Sequence, residues 1–184
     1  MKKEIKTENL ILKPANPAFA KARLDYYTSN RGYFTPYEPD MPDDFFELEA
    51  SEAYLSYEKE MNEKGISHHF YAFLKDDPEK IVGTISFYHI RPMPYSSATV
   101  GYNVDHLLWG KGFGGEMCRI LIPIVMEHYT LHRMEARVSV NNERSVRLLE
   151  RLGFENEGIE KQSIFVLGDF TDHHRFALLK DPNK

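Results

Sequence analysis

From Trp109 to Gly115 the chain reads Trp109-Gly110-Lys111-Gly112-Phe113-Gly114-Gly115, so four of seven consecutive residues lack a side chain. No other segment limits the fold as strongly. A structural turn needs one or two glycines. Four indicate a backbone that bends sharply and lets a ligand approach closely. The next segment, Phe113 to Tyr129, sets Met117, Ile120, Leu121, Ile124 and Val125 at helical spacing on one face. Ser97 to Asp105 before the loop reads as a strand, and Met134 to Val140 after the helix alternates as another. A strand, crossover helix and strand make a parallel pair. Glycines at the start of that helix aim its orphan amides and positive dipole end at one point, which favours a phosphate.

Three phosphate loops compete for this segment. A P-loop requires Lys followed by Ser or Thr, and Lys111 is followed by Gly112. The dinucleotide fingerprint G-x-G-x-x-G is met by Gly110, Gly112 and Gly115, with Glu135 about the right distance onward. Its context is wrong, because Asp105 to Leu108 separate strand from loop and too few residues follow to complete a nucleotide-binding half. The third option is a loop that holds the pyrophosphate of an acyl-CoA.

The rest of the chain supplies the frame. Its 184 residues suit one domain spanning 1–184, and 42% are apolar, enough for a core without disulfides. Cys118 is the one cysteine and falls in the apolar helix, where a small core residue is expected. Its solitude, an N-terminus (Met1 to Ile5) without an apolar run, and the lack of any span-length stretch lead to the expectation of a cytoplasmic protein off the membrane. The net charge of −5 argues against a nucleic-acid partner. Leu10 to Pro14 reads as a strand, Asn16 to Asn30 as a helix, Asn30 to Pro42 as a loop, and Asp44 to Lys64 as a helix capped by Gly65. His69 to Lys75 and Ile81 to Ile90 are strands joined by a turn at Asp76 to Glu79. Glu143 to Leu152 is a helix. Phe154 to Leu167 and Phe170 to Leu179 form a hairpin turning at Gly168-Asp169. The fold class is α/β, with a mixed, mostly antiparallel sheet of about seven strands and helices on both faces.

Several motifs point one way together. The loop, Gly101 to Val104 before it, Asn142 to Ser145, and Leu148 to Phe154 occur in order, with Gly158 and Gly168 to Asp172 behind them. In this the chain resembles the GNAT superfamily of N-acetyltransferases. It is most similar to the ribosomal-protein N-terminal acetyltransferase (RimJ/RimL-like) branch, where a tryptophan at the position of Trp109 is common. The resemblance implies a single-domain GNAT fold with a splayed parallel pair at the cofactor cleft, and acetyl-CoA as donor. It implies that Gly110, Lys111, Gly112, Phe113, Gly114 and Gly115 bind the pyrophosphate. Backbone groups of Asn103, Val104 and Asp105 are expected to bond the pantetheine arm, and one of those amides to act as oxyanion donor. Asn142, plainly an N-cap, is also expected to touch the cofactor. Ser145 is expected to bind there too and to protonate the leaving thiolate, with Tyr102 and Tyr129 as rivals.

The acceptor side is less determined. Ile164 stands where family members may carry a catalytic Glu on the penultimate strand. Glu38, Asp105, His89 and His106 are the replacement bases. Between Gly32 and Glu58 there is no Lys or Arg. The segment carries Glu38, Asp40, Asp43, Asp44, Glu47, Glu49, Glu52 and Glu58. It is either a solvated helix face or an acidic approach for an amine, and Tyr37 and Glu38 are expected to meet the substrate. At pH 7 an α-amine is roughly 14% neutral and a lysine roughly 0.04%, so a missing base favours a protein or peptide N-terminus as acceptor. A polyamine or small amine is the alternative within the enzyme class. A catalytically weak acyl-CoA-binding module and a dinucleotide oxidoreductase lie outside it. The pairs His68-His69 and His173-His174 read as packed or surface residues rather than metal ligands, since strand neighbours face opposite ways. Pro123 should kink its helix. The oligomeric expectation is a monomer or homodimer.

Overall fold

The computed structural model describes residues 3–180; Met1 and Lys2, part of the N-terminal segment read above, lie outside them. The elements in order are β1 (Ile5–Lys6), β2 (Leu10–Pro14), α1 (Ala20–Phe34), α2 (Leu48–Lys64), β3 (His68–Leu74), β4 (Asp77–Arg91) and β5 (Ser97–Val104). Then follow α3 (Phe113–His128), β6 (Arg133–Ser139), α4 (Glu143–Arg151), β7 (Glu155–Val166) and β8 (Asp169–Leu179). All strands join one sheet in the order β1-β2-β3-β4-β5-β6-β8-β7. The sheet has one strand more than expected, because β1 is two residues long and leaves no periodic signal.

β5 and β6 are parallel, and they pair only from Ser97–Arg133 to Thr99–Glu135. Beyond that point they part, which is the expected splay. Side-chain alternation then gives the sheet two covered faces. Tyr71 and Phe73 pack with Tyr26, Phe34 and Leu55 of α1 and α2. Phe70 and Ala72 face the larger cluster with Met117, Leu121 and Val125 of α3 and Leu149 of α4.

Several boundaries move, each for a local reason. α1 starts after a 3-10 turn at Pro17–Phe19, where Asn16 Oδ1 accepts from the Ala18 amide at 3.0 Å. It continues past Asn30 through Phe34. Asn30 is fully buried; its Nδ2 donates to the Tyr26 carbonyl and its Oδ1 accepts from the His106 amide, so tertiary bonds override a residue that usually favours turns. α2 starts at Leu48 rather than Asp44, because Asp43–Phe46 is a 3-10 turn that buries Phe45. Gly65, at φ 70°, ends α2 as expected. The β3–β4 turn is Lys75-Asp76, so Asp77 and Pro78 belong to β4. Pro78 falls where a register shift leaves it without a paired residue on β3, and its missing N–H does no harm. The β7–β8 turn centres on Leu167 and Gly168, both at positive φ, one residue earlier than expected. On α3 the buried face is Met117, Cys118, Leu121, Ile122, Val125 and Met126, while Ile120 and Ile124 are partly exposed. Pro123 lies on the exposed side, and the helix continues through it to His128. Cys118 is a core residue whose thiol burial pushes up to about 12.

Candidate active site

A cavity of about 580 Å³ opens where β5 and β6 part. One wall is Val100 to Val104 of β5, and the facing wall is Ala136 to Ser139 of β6 with Asn142, Ser145 and Leu148. The glycine loop closes one end. There Gly110 and Gly112 hold φ values of 80° and 87° and face open space. Gly114 and Gly115 serve a different need: an added Cβ would sit 3.2 and 3.3 Å from Leu148. They let α3 and α4 pack closely, so the four glycines divide evenly between conformation and packing. The first intrahelical bond of α3 runs from the Glu116 amide to the Gly112 carbonyl at 2.9 Å. The amides of Phe113, Gly114 and Gly115 therefore lack intrahelical acceptors and suit an anion. Glu116, in the same turn, would repel that anion, but its carboxylate is tied to Thr7 and to both nitrogens of Asn9. Trp109 anchors the loop to β5 by donating Nε1–H to the Val104 carbonyl at 2.8 Å, and Arg144 of α4 stacks over its ring at 3.2 Å.

The register of β5 corrects the expected backbone contacts. The Asp105 amide donates to the Val82 carbonyl at 2.9 Å, and pairing runs unbroken from Gly83–Val104 to Tyr88–Thr99. Antiparallel alternation then points the backbone groups of Asn103 and Asp105 at β4. Those of Tyr102 and Val104 face the cleft, with the Val104 carbonyl taken by Trp109. Asp105 and Lys111 do not line the cavity. Asp105 is buried, accepts from the Leu107 amide and pairs with Lys80 at 3.2 Å. Lys111 is exposed, and its amide donates to Leu108.

Asn142 caps α4, accepting from the Ser145 amide at 3.2 Å, and both residues line the cavity. The Tyr102 hydroxyl is buried beside Ser145 and has no hydrogen-bond partner among the described residues. Burial holds its pKa far above the usual value, so it stays a donor. Tyr129 is not a rival: its hydroxyl bonds His68 and Gly65 away from the cavity lining. Nor does Glu135 serve a ribose, since it is held on β6 by Arg91, Arg133 and Arg175.

Away from the loop the cavity continues over the other sheet face, floored by Tyr71, Thr84, Ser86, Tyr88 and Asn103 and roofed by α1 and α2. Of the four candidate bases only Glu38 reaches it. His106 bonds Asn30 and stacks on Tyr33, and His89 is exposed. Glu38 accepts from Asn103 Nδ2, and burial raises its pKa to about 7. Tyr37 and Ile164 line the same space. Of the acidic segment, Glu58 also enters: it accepts from the Tyr71 hydroxyl at 2.8 Å, and burial raises it to about 7. Asp40 instead accepts from the Leu167 and Gly168 amides at 2.8 and 3.1 Å, pinning the β7–β8 turn beside the cavity mouth. The remaining acids of that run, Asp43, Asp44, Glu47, Glu49 and Glu52, lie outside the lining. His69 and His173 line the cavity, His173 beside Ser163 and Thr171, while His68 bonds Tyr129 and His174 bonds Asn156.

Glu58, His69, Tyr71, Tyr88 and Arg23 are lining residues that the sequence reading does not single out as a site. The alternation of β3 would place His69 and Tyr71 on one face, but which face is decided by how α1 and α2 dock.

Comparison with known proteins agrees with this geometry. Residues 9–155 match the family described as "Acetyltransferase (GNAT) domain". The "[Ribosomal protein uS5]-alanine N-acetyltransferase" of Escherichia coli is 29% identical over 177 residues, covering 96% of this chain and 91% of that protein. The "Probable N-acetyltransferase YjcK" of Bacillus subtilis is 29% identical over 175 residues, covering 95% and 96%. The solved ribosomal-protein-S5-alanine acetyltransferase of Vibrio fischeri superposes with a TM-score of 0.92 at 27% identity, over 99% of each chain.

Proposed function

The chain belongs to the GNAT acetyltransferase family, and from that membership we propose that it acetylates the α-amine at a protein or peptide N-terminus. It is an N-acetyltransferase, and acetyl-CoA is its donor. What supports the finer reading is one continuous cavity with an anion-binding helix start at one end and a half-buried carboxylate of raised pKa, Glu38, in the other lobe. Two relatives, those of Escherichia coli and Vibrio fischeri, are named for acetylating an alanine of a ribosomal protein.

The free amides of Phe113, Gly114 and Gly115 bind the pyrophosphate. The open backbone groups of Tyr102 and the Val104 amide extend the sheet onto the pantetheine arm, as a strand would add to an edge. The donor supplies an acyl group activated as a thioester. Glu38 takes the proton that the amine loses as its nitrogen forms the N–C bond and the C–S bond breaks. A carboxylate at about 7 is matched to an amine at about 7.8 and works near neutral pH. Tyr102 and Ser145 stand where the sulfur departs and donate to it. A thiol of pKa about 8.5 leaves readily, so this donation contributes little to rate. Ile164 fills the β7 wall with an apolar side chain, and Glu38 supplies the carboxylate from the opposite lobe.

An acceptor panel tests this. Thiol release from acetyl-CoA is followed with peptides bearing a free N-terminus, with N-blocked peptides bearing a free lysine, and with small amines. Turnover of the first set alone is expected. Turnover of lysines or small amines in preference would overturn the N-terminal assignment. Tight acetyl-CoA binding without any turnover would indicate a binding module.

A further inference from the structure

The acceptor lobe holds two half-buried carboxylates, and the proposed reaction uses one. Tyr71, Thr84 and Asn103 face each other across β3, β4 and β5, forming one row on the sheet. Glu38 is fastened to Asn103 at one end of the row, and Glu58 to Tyr71 at the other. Two strand spacings separate these anchors, about 10 Å. Each carboxylate uses one oxygen for its anchor. The second oxygen of Glu58 has no hydrogen bond among the described residues: His69 Nδ1 lies 3.6 Å from it, and burial keeps that imidazole neutral with its pKa lowered to about 4. A half-buried carboxylate with an open acceptor site in a cavity wall is placed to take a donor from the ligand.

A second group sharpens what that ligand is. Arg23 is 2% exposed and lines the same cavity. Its guanidinium is caged by the rings of Tyr27, Phe45 and Tyr54 and bonds Ser51, while its Nε has no partner among the described residues. The lobe thus offers acceptors at both ends and an unused donor in its wall. A diamine has nothing to give that donor; a peptide has its backbone carbonyls. Arg144 and Arg151 line the cavity on the cofactor side, while Glu38 and Glu58 share the acceptor side with Arg23, whose charge also acts on Glu58.

Building on the N-terminal reading, we propose that Glu58 is a specificity-determining residue that binds a lysine or arginine side chain within the first two residues of the peptide acceptor, while Glu38 faces its α-amine. Glu58 then selects acceptors with a second cation, and Arg23 Nε takes a carbonyl of the same peptide.

The test compares two peptides that differ only at position two, Ala-Lys and Ala-norleucine, which match in length but not in charge. The readout is the ratio of their kcat/KM values. The native enzyme is expected to favour the lysine peptide about tenfold, the worth of one charge-assisted hydrogen bond. In Glu58→Gln that ratio should fall to near one, through KM. General damage to the fold lowers both peptides together and leaves the ratio unchanged. An unchanged ratio in Glu58→Gln, or no preference in the native enzyme, overturns the proposal while leaving N-terminal acetylation intact. 1,4-Diaminobutane against butylamine forms a further arm. A preference there, lost in Glu58→Gln and absent from the peptides, would assign Glu58 to a small diamine and overturn the peptide. If no peptide is turned over, the N-terminal reading fails first and this one with it.

Discussion

At the scale of single residues, the site depends on groups whose surroundings change their ordinary chemistry. Burial lifts Glu38 to about 7, so it acts as a base only above that value. In the native enzyme kcat/KM should rise with pH through about 7. Glu38→Gln should lose that limb, keep the acceptor amine's own at about 7.8, and lose about a hundredfold in rate. A surviving limb at 7 would show that the titrating base is another group. Gly112 makes the complementary point at the cofactor. Its φ is 87°, and an added side chain would meet open space in the cavity. Gly112→Asp should abolish acetyl-CoA binding through like charge. Gly112→Asn, which tolerates the same backbone region, should bind measurably. Calorimetric titration separates the two, and equal loss in both would make the effect conformational. Such residues were legible to different degrees. Gly110 to Gly115 and Asn142 to Ser145 announce themselves because their roles are local: a helix start, a cap, a turn. Glu58 does not, since on α2 it looks like any exposed acid until the rotation of that helix is known.

Among elements, the sequence carries periodicity but not phase. Alternation along β5 is plain, yet whether Asn103 or Tyr102 turns its backbone to the cleft rests on one bond, from the Asp105 amide to Val82. A single residue of register exchanges the two sets. The same limit applies to α1, whose extension through Asn30 depends on His106, far along the chain. The hairpin of β7 and β8 is held in a comparable long-range way by Asp40. Asp40→Ala frees both turn amides and should loosen the wall that carries Ile164. The expected result is a severalfold rise in the acceptor KM with the acetyl-CoA dissociation constant unchanged. If both constants shift together, the hairpin is supporting the whole cleft rather than the acceptor side.

For the whole molecule, the polar chamber between sheet and helices leaves a mark on stability. His68 and His69 are lowered to about 4 from 6.5, chiefly by burial. The unfolded chain takes up protons that the fold refuses, so their contribution is complete above about 6.5 and is lost as pH falls toward 4. Glu38 and Glu58 are raised to about 7 from 4.5. Their contribution is complete below about 4.5 and is lost as pH rises through 7. Between about 4.5 and 6.5 the two pairs therefore oppose each other. The double variant Glu38→Gln, Glu58→Gln should show a Tm that climbs with pH across this window more steeply than the native protein; parallel curves would contradict it. The global architecture was the most legible level, because meander, crossover and hairpin follow from order and loop length alone. The chamber was not, since it exists only where α1 and α2 meet the sheet. One feature of the cleft also has a use outside chemistry. Trp109 is the chain's one tryptophan, and its indole bridges β5 through Val104 and α4 through Arg144. A molecule that pushes those walls apart must disturb the cation resting on the ring, and with it the ring's emission. The protein carries its one indole at the hinge of its own aperture, an optical gauge of cleft width that needs no label.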